Sequence, residues 1–371
     1  MENTCFGGLC YFLEEHSSFD SHRSASKKAQ LAAAVPQREA AAIARYRQAI
    51  EDALRSLFVG DSYLSKASYK AIAAGGKRVR STVALLACEA VCGSYARALP
   101  VALSFELAHV ASLIQDDILD DSPMRHGKPS IHSEHGSVRA ILVSDYLLFN
   151  IFHELSTLQD NGISTSRLAQ ILRYVADSAK WAAKGEFSDM LAATKGSLTE
   201  EEYIETASMK TASLFAGAAA SGAVAGGASA ELVKALYSFG HSYGVAFQIL
   251  DDVLDFIGDP AETGKPALKD YENHASNIVL VNAPLTKLED PAGESSALES
   301  WHVLVSTLER AGSIEKASML GQKYCRRARS HLRLLPDSTP RRLLDHLAHS
   351  LSLRFSDLGS KGHRKEVDSG E

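Results

Sequence analysis

The stretch Ser112-Leu-Ile-Gln-Asp-Asp-Ile-Leu-Asp-Asp121 is an apolar run that ends in four carboxylates within six residues. In a helix, Asp116 and Asp120 lie four residues apart and therefore on one face, with Asp117 one position round. Acids at the end of an apolar stripe repel one another unless a cation lies between them. On its own the stretch fits two interpretations equally well: a site for a hard divalent cation, or a helix end whose acids face water.

A second copy of the pattern favours the cation site. Gln248-Ile-Leu-Asp-Asp-Val-Leu-Asp255 follows 135 positions later, again after an apolar run. Asp251 and Asp255 are again four residues apart, and Asp252 lies beside Asp251. Because Mg²⁺ binds one or two carboxylates together with phosphate oxygens of a substrate, we expect the two sites to hold several Mg²⁺ ions around one diphosphate.

The rest of the chain predicts an all-α fold. From Gln37 onward, Ala, Leu and Glu recur at three- and four-residue spacing, and Thr199-Glu-Glu-Glu is typical of a helix start. We predict helices near 38–58, 64–74, 79–93, 97–120, 134–160, 165–194, 199–226, 228–258, 297–311, 312–333 and 338–355. They form one domain over 37–356, a bundle of about ten or more helices around a central cavity. Residues 1–36 are predicted to be a disordered extension or a targeting segment, and 357–371 a disordered tail.

Composition narrows the function. The net charge of −6 predicts no nucleic-acid partner and no general attraction to anionic membranes. The five cysteines form no disulfide framework, so we expect an intracellular protein, mitochondrial or plastid if 1–36 is a presequence and otherwise cytoplasmic. No transmembrane segment is expected; the small residues of 215–230 instead predict a helix face that a neighbouring helix approaches closely.

Basic residues near the first acidic stretch suggest a phosphate site. Gly75-Gly-Lys-Arg-Val-Arg80 places Lys77, Arg78 and Arg80 beside two glycines that allow close backbone approach. His109 lies seven residues, about two turns, before Asp116 and therefore shares its face. Arg125 follows the acids and is a natural partner for a diphosphate.

These motifs resemble those of the trans-polyprenyl diphosphate synthases, the head-to-tail synthases of the all-α isoprenoid synthase fold. The likeness spans about residues 50–355. It comprises Gly75-Gly-Lys-Arg, both aspartate motifs, Arg125 with Gly127-Lys-Pro, Lys210-Thr-Ala-Ser-Leu-Phe215 and Phe247-Gln248. It implies that isopentenyl diphosphate is condensed with an allylic diphosphate, with Mg²⁺ as cofactor, three ions in each active site, and with a homodimer or a heteromer of related subunits.

The resemblance also implies residue roles. The metal ligands would be Asp116, Asp117, Asp120, Asp251, Asp252 and Asp255. Substrate-binding residues would be Lys77, Arg78, Arg80, His109, Arg125, His126 and Lys265. Catalytic residues would be Lys210, Thr211 and Gln248, of which Thr211 and Gln248 stabilise the carbocation or take the proton.

Two positions depart from the family pattern. The family usually has a second arginine where this chain has His126, and a lysine where it has Ala275, next to His274. The first change would weaken the isopentenyl diphosphate site, and the second removes a charge near the allylic diphosphate. A slow enzyme, or one subunit of a heteromer, is therefore an alternative hypothesis. A terpene cyclase is a further alternative, although it usually lacks the second aspartate motif and the Gly-Gly-Lys-Arg stretch.

Small residues above the first motif predict a long product. Ser112, Ala111 and Ala108 lie four, five and eight residues before Asp116, on the helix along which the chain would grow. None is large enough to stop growth near the site. We therefore expect a product longer than farnesyl diphosphate, a precursor of quinone side chains, with a farnesyl or geranylgeranyl diphosphate synthase as the alternative.

Overall fold

The computed structural model describes residues 37–195, 198–257, 276–283 and 297–364, and these residues are almost entirely helical. The helices in chain order are α1 Gln37–Leu57, α2 Tyr63–Ala73, α3 Val79–Cys92, α4 Leu99–Leu119, α5 Ile131–His135, α6 Ser137–Ser156, α7 Thr165–Lys195, α8 Glu200–Ala207, α9 Ser213–Gly226, α10 Ala230–Ile257, α11 Ile278–Val281, α12 Ala297–Arg310, α13 Ser313–His331 and α14 Thr339–Arg364. Strands β1 Met124–Arg125 and β2 Lys128–Pro129 form one antiparallel hairpin.

The prediction of an all-α fold is confirmed, and most predicted helices agree with the structure to within a few residues. The start of α8 follows the predicted signal. The Thr199 hydroxyl accepts a hydrogen bond from the Glu202 amide at 3.2 Å, while the Glu202 carboxylate accepts from the Thr199 amide at 3.0 Å. This capping box satisfies two backbone donors that a helix N-terminus leaves without partners.

Three local features of the structure differ from what the sequence predicts. The hairpin formed by β1 and β2 was not foreseen, because its strands are too short to show an alternating pattern. The helix predicted over 199–226 is interrupted by a π-helical turn at Ser208–Ala212. The tail predicted from residue 357 begins too early, because α14 continues to Arg364 and buried Leu358 extends the apolar face of Leu351 and Phe355.

The chain divides into two compact units. Unit 1 takes the described residues up to Val175, with Ala218–Lys234 and Leu335–Leu344. Unit 2 takes Ala176–Gly217, and the described residues of Ala235–Leu334 and of the segment from Asp345 onward. The predicted extension 1–36 lies outside the described residues, as do Lys265, His274 and Ala275.

Helix α4 forms the centre of unit 1, where α3 and α6 pack against it. The sequence predicts no membrane-spanning segment, but one segment that includes α4 has the required length and composition. The segment Ala96–Leu119 is long and apolar enough to cross a membrane, with a mean hydropathy of 1.4. However, 72% of that apolar window is buried inside the protein, as expected for a core helix.

Close backbone approach at small residues occurs in both units, as the small residues of 215–230 predicted. In unit 1, a Cβ added at Gly222 would lie 2.1 Å from the carbonyl oxygen of Ala84 on α3. In unit 2, a Cβ added at Gly240 of α10 would lie 2.4 Å from the carbonyl oxygen of Phe215 on α9. Only glycine allows the helices to pack at these distances.

Candidate active site

The first aspartate motif lies at the C-terminal end of α4. Asp116 is half-buried in the last turn, and Asp120 is exposed at the C-cap position, where its amide donates to the Asp116 carbonyl at 2.9 Å. The C-terminus of a helix carries a partial negative charge, which disfavours carboxylates there. Carboxylates placed against this dipole form a strongly electronegative end, which attracts a cation.

Asp117 is separated from this pair and turns into the protein. Only 3% of its surface is exposed. Its Oδ1 accepts two hydrogen bonds from Arg125 of β1, from Nε at 2.8 Å and from Nη2 at 2.5 Å. Arg125 was predicted to bind a diphosphate and Asp117 a metal ion. In the structure the two side chains form an ion pair with each other.

The hairpin after the motif places His126 beside the Gly75-Gly76 loop. Its two-residue turn consists of His126 and Gly127, both with positive φ, at 49° and 71°. This is the conformation of a type I′ turn, which matches the twist of the two strands. The His126 side chain lies 3.9 Å from the position that a Cβ on Gly75 would occupy, and Lys128 Nζ donates to the Ala73 carbonyl at 3.3 Å.

Arg78 is a structural residue of that loop. It is 3% exposed and donates four hydrogen bonds: to Glu51 at 2.8 Å, to Glu106 at 2.8 Å, to the Ile72 carbonyl at 2.7 Å and to the Gly75 carbonyl at 3.2 Å. With its donors committed to the protein, Arg78 is badly placed for the substrate-binding role that was predicted for it.

Lys77 and Arg80 are the two other cations of the Gly75-Gly76 loop that were predicted to bind substrate, and His109 is a neutral partner for them. Lys77 and Arg80 are half-buried on either side of the buried Arg78. Burial lowers the pKa of His109 well below its usual value, and the charges of Arg80, Arg78, His126 and Arg125 lower it further. His109 is therefore neutral near pH 7 and lies in a positive field, which favours an anion beside it.

The second motif, in unit 2, repeats this arrangement at the end of α10. Asp251 and Asp255 are half-buried on one face, whereas Asp252 is 3% exposed. Asp252 Oδ2 accepts from the Ile278 amide at 3.0 Å, and its Oδ1 accepts from Gln248 Nε2 at 2.8 Å. Burial raises the pKa of Asp252 to about 7, although these hydrogen bonds oppose the shift.

The predicted catalytic residues Thr211 and Gln248 lie together in unit 2. The Thr211 hydroxyl donates to Gln248 Oε1 at 2.5 Å, and the Gln248 amide donates in turn to Asp252. This chain of bonds fixes the orientation of the Gln248 amide, because its oxygen faces a hydroxyl donor and its nitrogen faces a carboxylate.

Lys210 is held by two acids that the sequence analysis missed. Its Nζ lies 2.7 Å from Asp189 Oδ2 and 2.9 Å from Glu186 Oε2, both on α7. Burial alone would lower the pKa of Lys210, but Asp189 and Glu186 outweigh it and raise this pKa above its usual value. Lys210 lies in the π-helical turn, a feature that is frequent at functional sites.

The chain is matched over residues 61–296 by the family model described as Polyprenyl synthetase. The chain belongs to the polyprenyl synthetase family. It is 34% identical over 287 residues to the geranylgeranyl diphosphate synthase of Methanosarcina mazei, a match that covers 77% of this chain and 88% of the relative. It is 29% identical to the octaprenyl diphosphate synthase of Escherichia coli, with the same two shares of 77% and 88%.

Solved structures show the same fold. Geranylgeranyl pyrophosphate synthetase from Pyrococcus horikoshii is similar with a TM-score of 0.77 and 31% identity, covering 84% of this chain and 97% of that one. Polyprenyl synthase from Caulobacter crescentus, complexed with calcium and isoprenyl diphosphate, has a TM-score of 0.73 and 26% identity, covering 84% and 96%. This polyprenyl synthetase has the isoprenoid synthase fold and is a trans-prenyltransferase.

The family assignment gives a context for the residues that were missed. Glu186 and Asp189 are one helical turn apart, and this i, i+3 spacing of acids was the available signal. A glycine within the same helical run, Gly185, was a second available signal. In the structure, a Cβ at Gly185 would lie 2.2 Å from the Lys210 amide nitrogen. Glu106, an acid inside an apolar run, could also have been noticed as a buried partner for a cation.

The predicted metal ligands occur as pairs within each unit of the synthase. Among residues 37–195, 198–257, 276–283 and 297–364, no group of three or more His, Cys, Asp or Glu side chains is arranged to hold a metal ion. A pair of carboxylates supplies oxygen ligands, which suit a hard divalent cation. Such a cation completes its coordination with substrate phosphates and water. The donors present therefore fit a cation that binds together with a diphosphate.

Proposed function

We propose that this synthase condenses isopentenyl diphosphate with an allylic diphosphate and extends the chain beyond farnesyl diphosphate, to supply quinone side chains. The observation that carries the proposal is the repeated pair of accessible carboxylates, Asp116 with Asp120 and Asp251 with Asp255, each at a helix C-terminus. That both pairs serve one diphosphate stays a prediction from the sequence.

The cofactor proposed is Mg²⁺, three ions in each active site. A Caulobacter relative was crystallised with calcium and isoprenyl diphosphate, and Mg²⁺ has the same preference for oxygen ligands. When bound, the ions neutralise the diphosphate that leaves the allylic substrate. Asp116, Asp120, Asp251 and Asp255 would hold the ions, while Asp117 and Asp252 would orient the end of each motif through their own partners.

The cationic residues of unit 1 would bind the diphosphate of isopentenyl diphosphate. Lys77 and Arg80 supply charge, and the neutral His109 imidazole supplies an N–H donor in a positive field. His126 would add a donor at the edge of the same loop, in place of the usual arginine.

The polar residues of unit 2 would act on the reacting carbons. As the allylic C–O bond breaks, Lys210 would donate to the departing diphosphate. The alkene of isopentenyl diphosphate then forms the new C–C bond, and the resulting cation loses a proton to the pyrophosphate oxygen. The oriented oxygens of Thr211 and Gln248 would stabilise the cation before that proton is lost.

Product length would depend on the face of α4 above Asp116. Ala108 and Ala111 are buried, Ser112 is half-buried, and the Ser144 hydroxyl of α6 donates to the Ala111 carbonyl at 3.3 Å. A phenylalanine at Ala111 would therefore strain the contact between α4 and α6 as well as shorten the product. Ser112→Phe is the sharper variant, because Ser112 has more room.

A homodimer is proposed from the surface of α6. This helix exposes an apolar stripe in which Val138, Phe149 and Phe152 are 75%, 66% and 63% exposed. Contiguous apolar patches of this kind usually mark interfaces. Phe149→Glu with Phe152→Glu should convert a dimer to a monomer in light scattering; a wild-type chain that is already monomeric would refute the proposal.

The deciding experiment uses the full chain with Mg²⁺, labelled isopentenyl diphosphate, and farnesyl or geranylgeranyl diphosphate as primer, followed by chromatographic sizing of the products. We expect products longer than farnesyl, and loss of activity in Asp116→Asn and Asp251→Asn. Asp121→Asn is the matched control, because the Asp121 side chain is fully exposed beside the first motif. No incorporation with either primer would favour a regulatory subunit, and products that stop at farnesyl would refute the chain length.

A further inference from the structure

Helix α13 of unit 2 carries a row of cations on its outward side. Its inward side is a regular apolar seam, formed by Ile314, Ala317, Gly321, Cys325, Ala328 and, in the turn that follows, Leu332. At 100° per residue, Lys316, Lys323 and Arg327 lie within about 40° of one line opposite that seam. Arg326 lies beside them; all four side chains are exposed and are called here the cationic face.

The cationic face is not neutralised by the described residues of the protein. Within the described part of the chain, no carboxylate forms an ion pair with any of its four side chains, whereas the neighbouring Arg329 is paired with Asp345 at 2.8 Å. The positive charge of Arg327 acts on two nearby histidines. The pKa values of His241 and His331 are lowered, first by burial and then by the charge of Arg327. Glu315 is the one acid of α13 itself, and the pKa of Tyr324 on the same helix is raised by burial and also by the charge of Glu200.

This local charge contrasts with the chain as a whole. The net charge of the protein is −6, but α13 contains five cations and one acid. Because charges are screened over about 8 Å at physiological salt, a surface that approaches α13 meets the local positive charge and not the negative sum.

Two apolar side chains lie along the same outward side. Met319 is 62% exposed and Leu334, just beyond the helix, is 55% exposed. The apolar face of α13 is buried in the protein, so what the helix offers outward is a cluster of cations with two aliphatic side chains over about 27 Å. Clustered Lys and Arg side chains are attracted to the negative surface potential of anionic lipids. Proteins that bind single-stranded nucleic acid instead place aromatic side chains among the cations, and Tyr324 of α13 is half-buried.

We propose that the cationic face binds the surface of a bilayer that contains anionic phospholipids. Lys316, Lys323, Arg326 and Arg327 contact the headgroup phosphates, and Met319 with Leu334 enters the interfacial layer. Binding of this kind is independent of the proposed function. Only the benefit of membrane binding rests on the proposed function: a polyprenyl product would be released next to the lipid bilayer, in which it is soluble.

The test is flotation of the purified full chain with phosphatidylcholine vesicles, with and without phosphatidylglycerol, at low and high salt. We expect binding only to the vesicles that contain phosphatidylglycerol, and release at high salt. Each cation near an anionic surface contributes about 1 kcal/mol, or about fivefold in partitioning. Loss of three cations alone corresponds to about 100-fold, so the triple variant Lys316→Glu, Lys323→Glu and Arg327→Glu, which also adds three negative charges, should bind at least about 100-fold more weakly.

The matched control carries the same change of charge at three exposed cations of unit 1, Lys66→Glu, Arg97→Glu and Arg173→Glu. It should keep most of the vesicle binding, and melting temperatures should show that both triple variants are folded. If the α13 variant does not fold, the triple change to glutamine at the same three positions replaces it. An equal loss in both triples, binding to pure phosphatidylcholine, or no vesicle binding together with retention of an RNA oligonucleotide would overturn the proposal.

Discussion

Replacement of Arg78 should test whether this residue stabilises the fold or binds the substrate. Its place in the motif Gly75-Gly-Lys-Arg predicts a role in substrate binding. The structure instead buries it between Glu51 and Glu106, with two further bonds to backbone carbonyls. We therefore expect Arg78→Met to reduce the free energy of unfolding rather than to raise the KM for isopentenyl diphosphate alone.

The magnitude follows from what the substitution leaves behind. Glu106 is 2% exposed and would keep only the Ser81 hydroxyl, at 2.8 Å, as a side-chain partner. Removal of one partner from a buried ion pair costs about 3–5 kcal/mol, because the other charge stays buried without compensation. Glu51 contributes less to this cost, since 32% of its side chain is exposed and water can solvate it.

Urea denaturation followed by circular dichroism measures this loss, and steady-state kinetics is measured on the same samples. Arg45→Met is the matched control for stability, because Arg45 and Glu89 form an ion pair at 3.1 Å with Arg45 54% exposed. Such surface pairs contribute about 0–1 kcal/mol. Lys77→Met is the control for substrate binding and should raise the KM for isopentenyl diphosphate at nearly unchanged stability.

A double variant separates the two explanations. Arg78→Met with Glu106→Leu removes both buried charges and should recover about 2–3 kcal/mol of the loss, since apolar replacements of a buried pair are often tolerated. The reasoning would be refuted if Arg78→Met cost less than about 1 kcal/mol while the KM for isopentenyl diphosphate rose as much as in Lys77→Met.

Three further predictions concern the other site residues. Gly185→Ala should cost about 1–3 kcal/mol and lower kcat, because the new Cβ would displace the backbone of Lys210; unchanged urea midpoint and kcat would contradict it. Asp116→Asn should abolish most activity and raise the free energy of unfolding by about 0.3–1 kcal/mol in urea denaturation. Asp117→Asn should instead lower the free energy of unfolding. Equal effects of the two substitutions on stability would contradict the argument from their different burial. The lowered pKa of His109 means that the unfolded chain binds a proton which the folded chain does not, so stability should fall as the pH drops below about 6.5. In His109→Gln the urea midpoint should depend less on pH over that range, and an unchanged slope would count against this.

The sequence predicted the all-α type of fold because helix formation depends on local pattern. Helical periodicity requires only the spacing of apolar residues along the chain, and the helix predicted near 97–120 ends within one residue of the end of α4 at Leu119. The two aspartate motifs were recognisable because their spacing is set by the helix. Where local signals are weak, as in the hairpin at Met124–Pro129 or the π-helical turn within the helix predicted over 199–226, the structure shows features that the sequence did not predict.

Burial separated residues that looked equivalent in the sequence. Asp116 and Asp117 are neighbours of the same type, yet one is half-buried at the surface and the other is enclosed with Arg125. Lys77 and Arg78 differ in the same way. Which of two adjacent side chains faces inward depends on what packs against the helix or loop, and those contacts come from residues far along the chain.

By itself, the sequence determined an all-helical prenyl diphosphate synthase with two carboxylate motifs and a basic loop. Only the tertiary structure decided which charges are neutralised inside the protein. Arg78 reaches Glu106 across 28 positions, and Lys210 reaches Asp189 across 21. The physical reason is that an ion is costly to bury unless a partner of opposite charge is within hydrogen-bonding distance, and that distance is fixed by folding and not by position in the sequence.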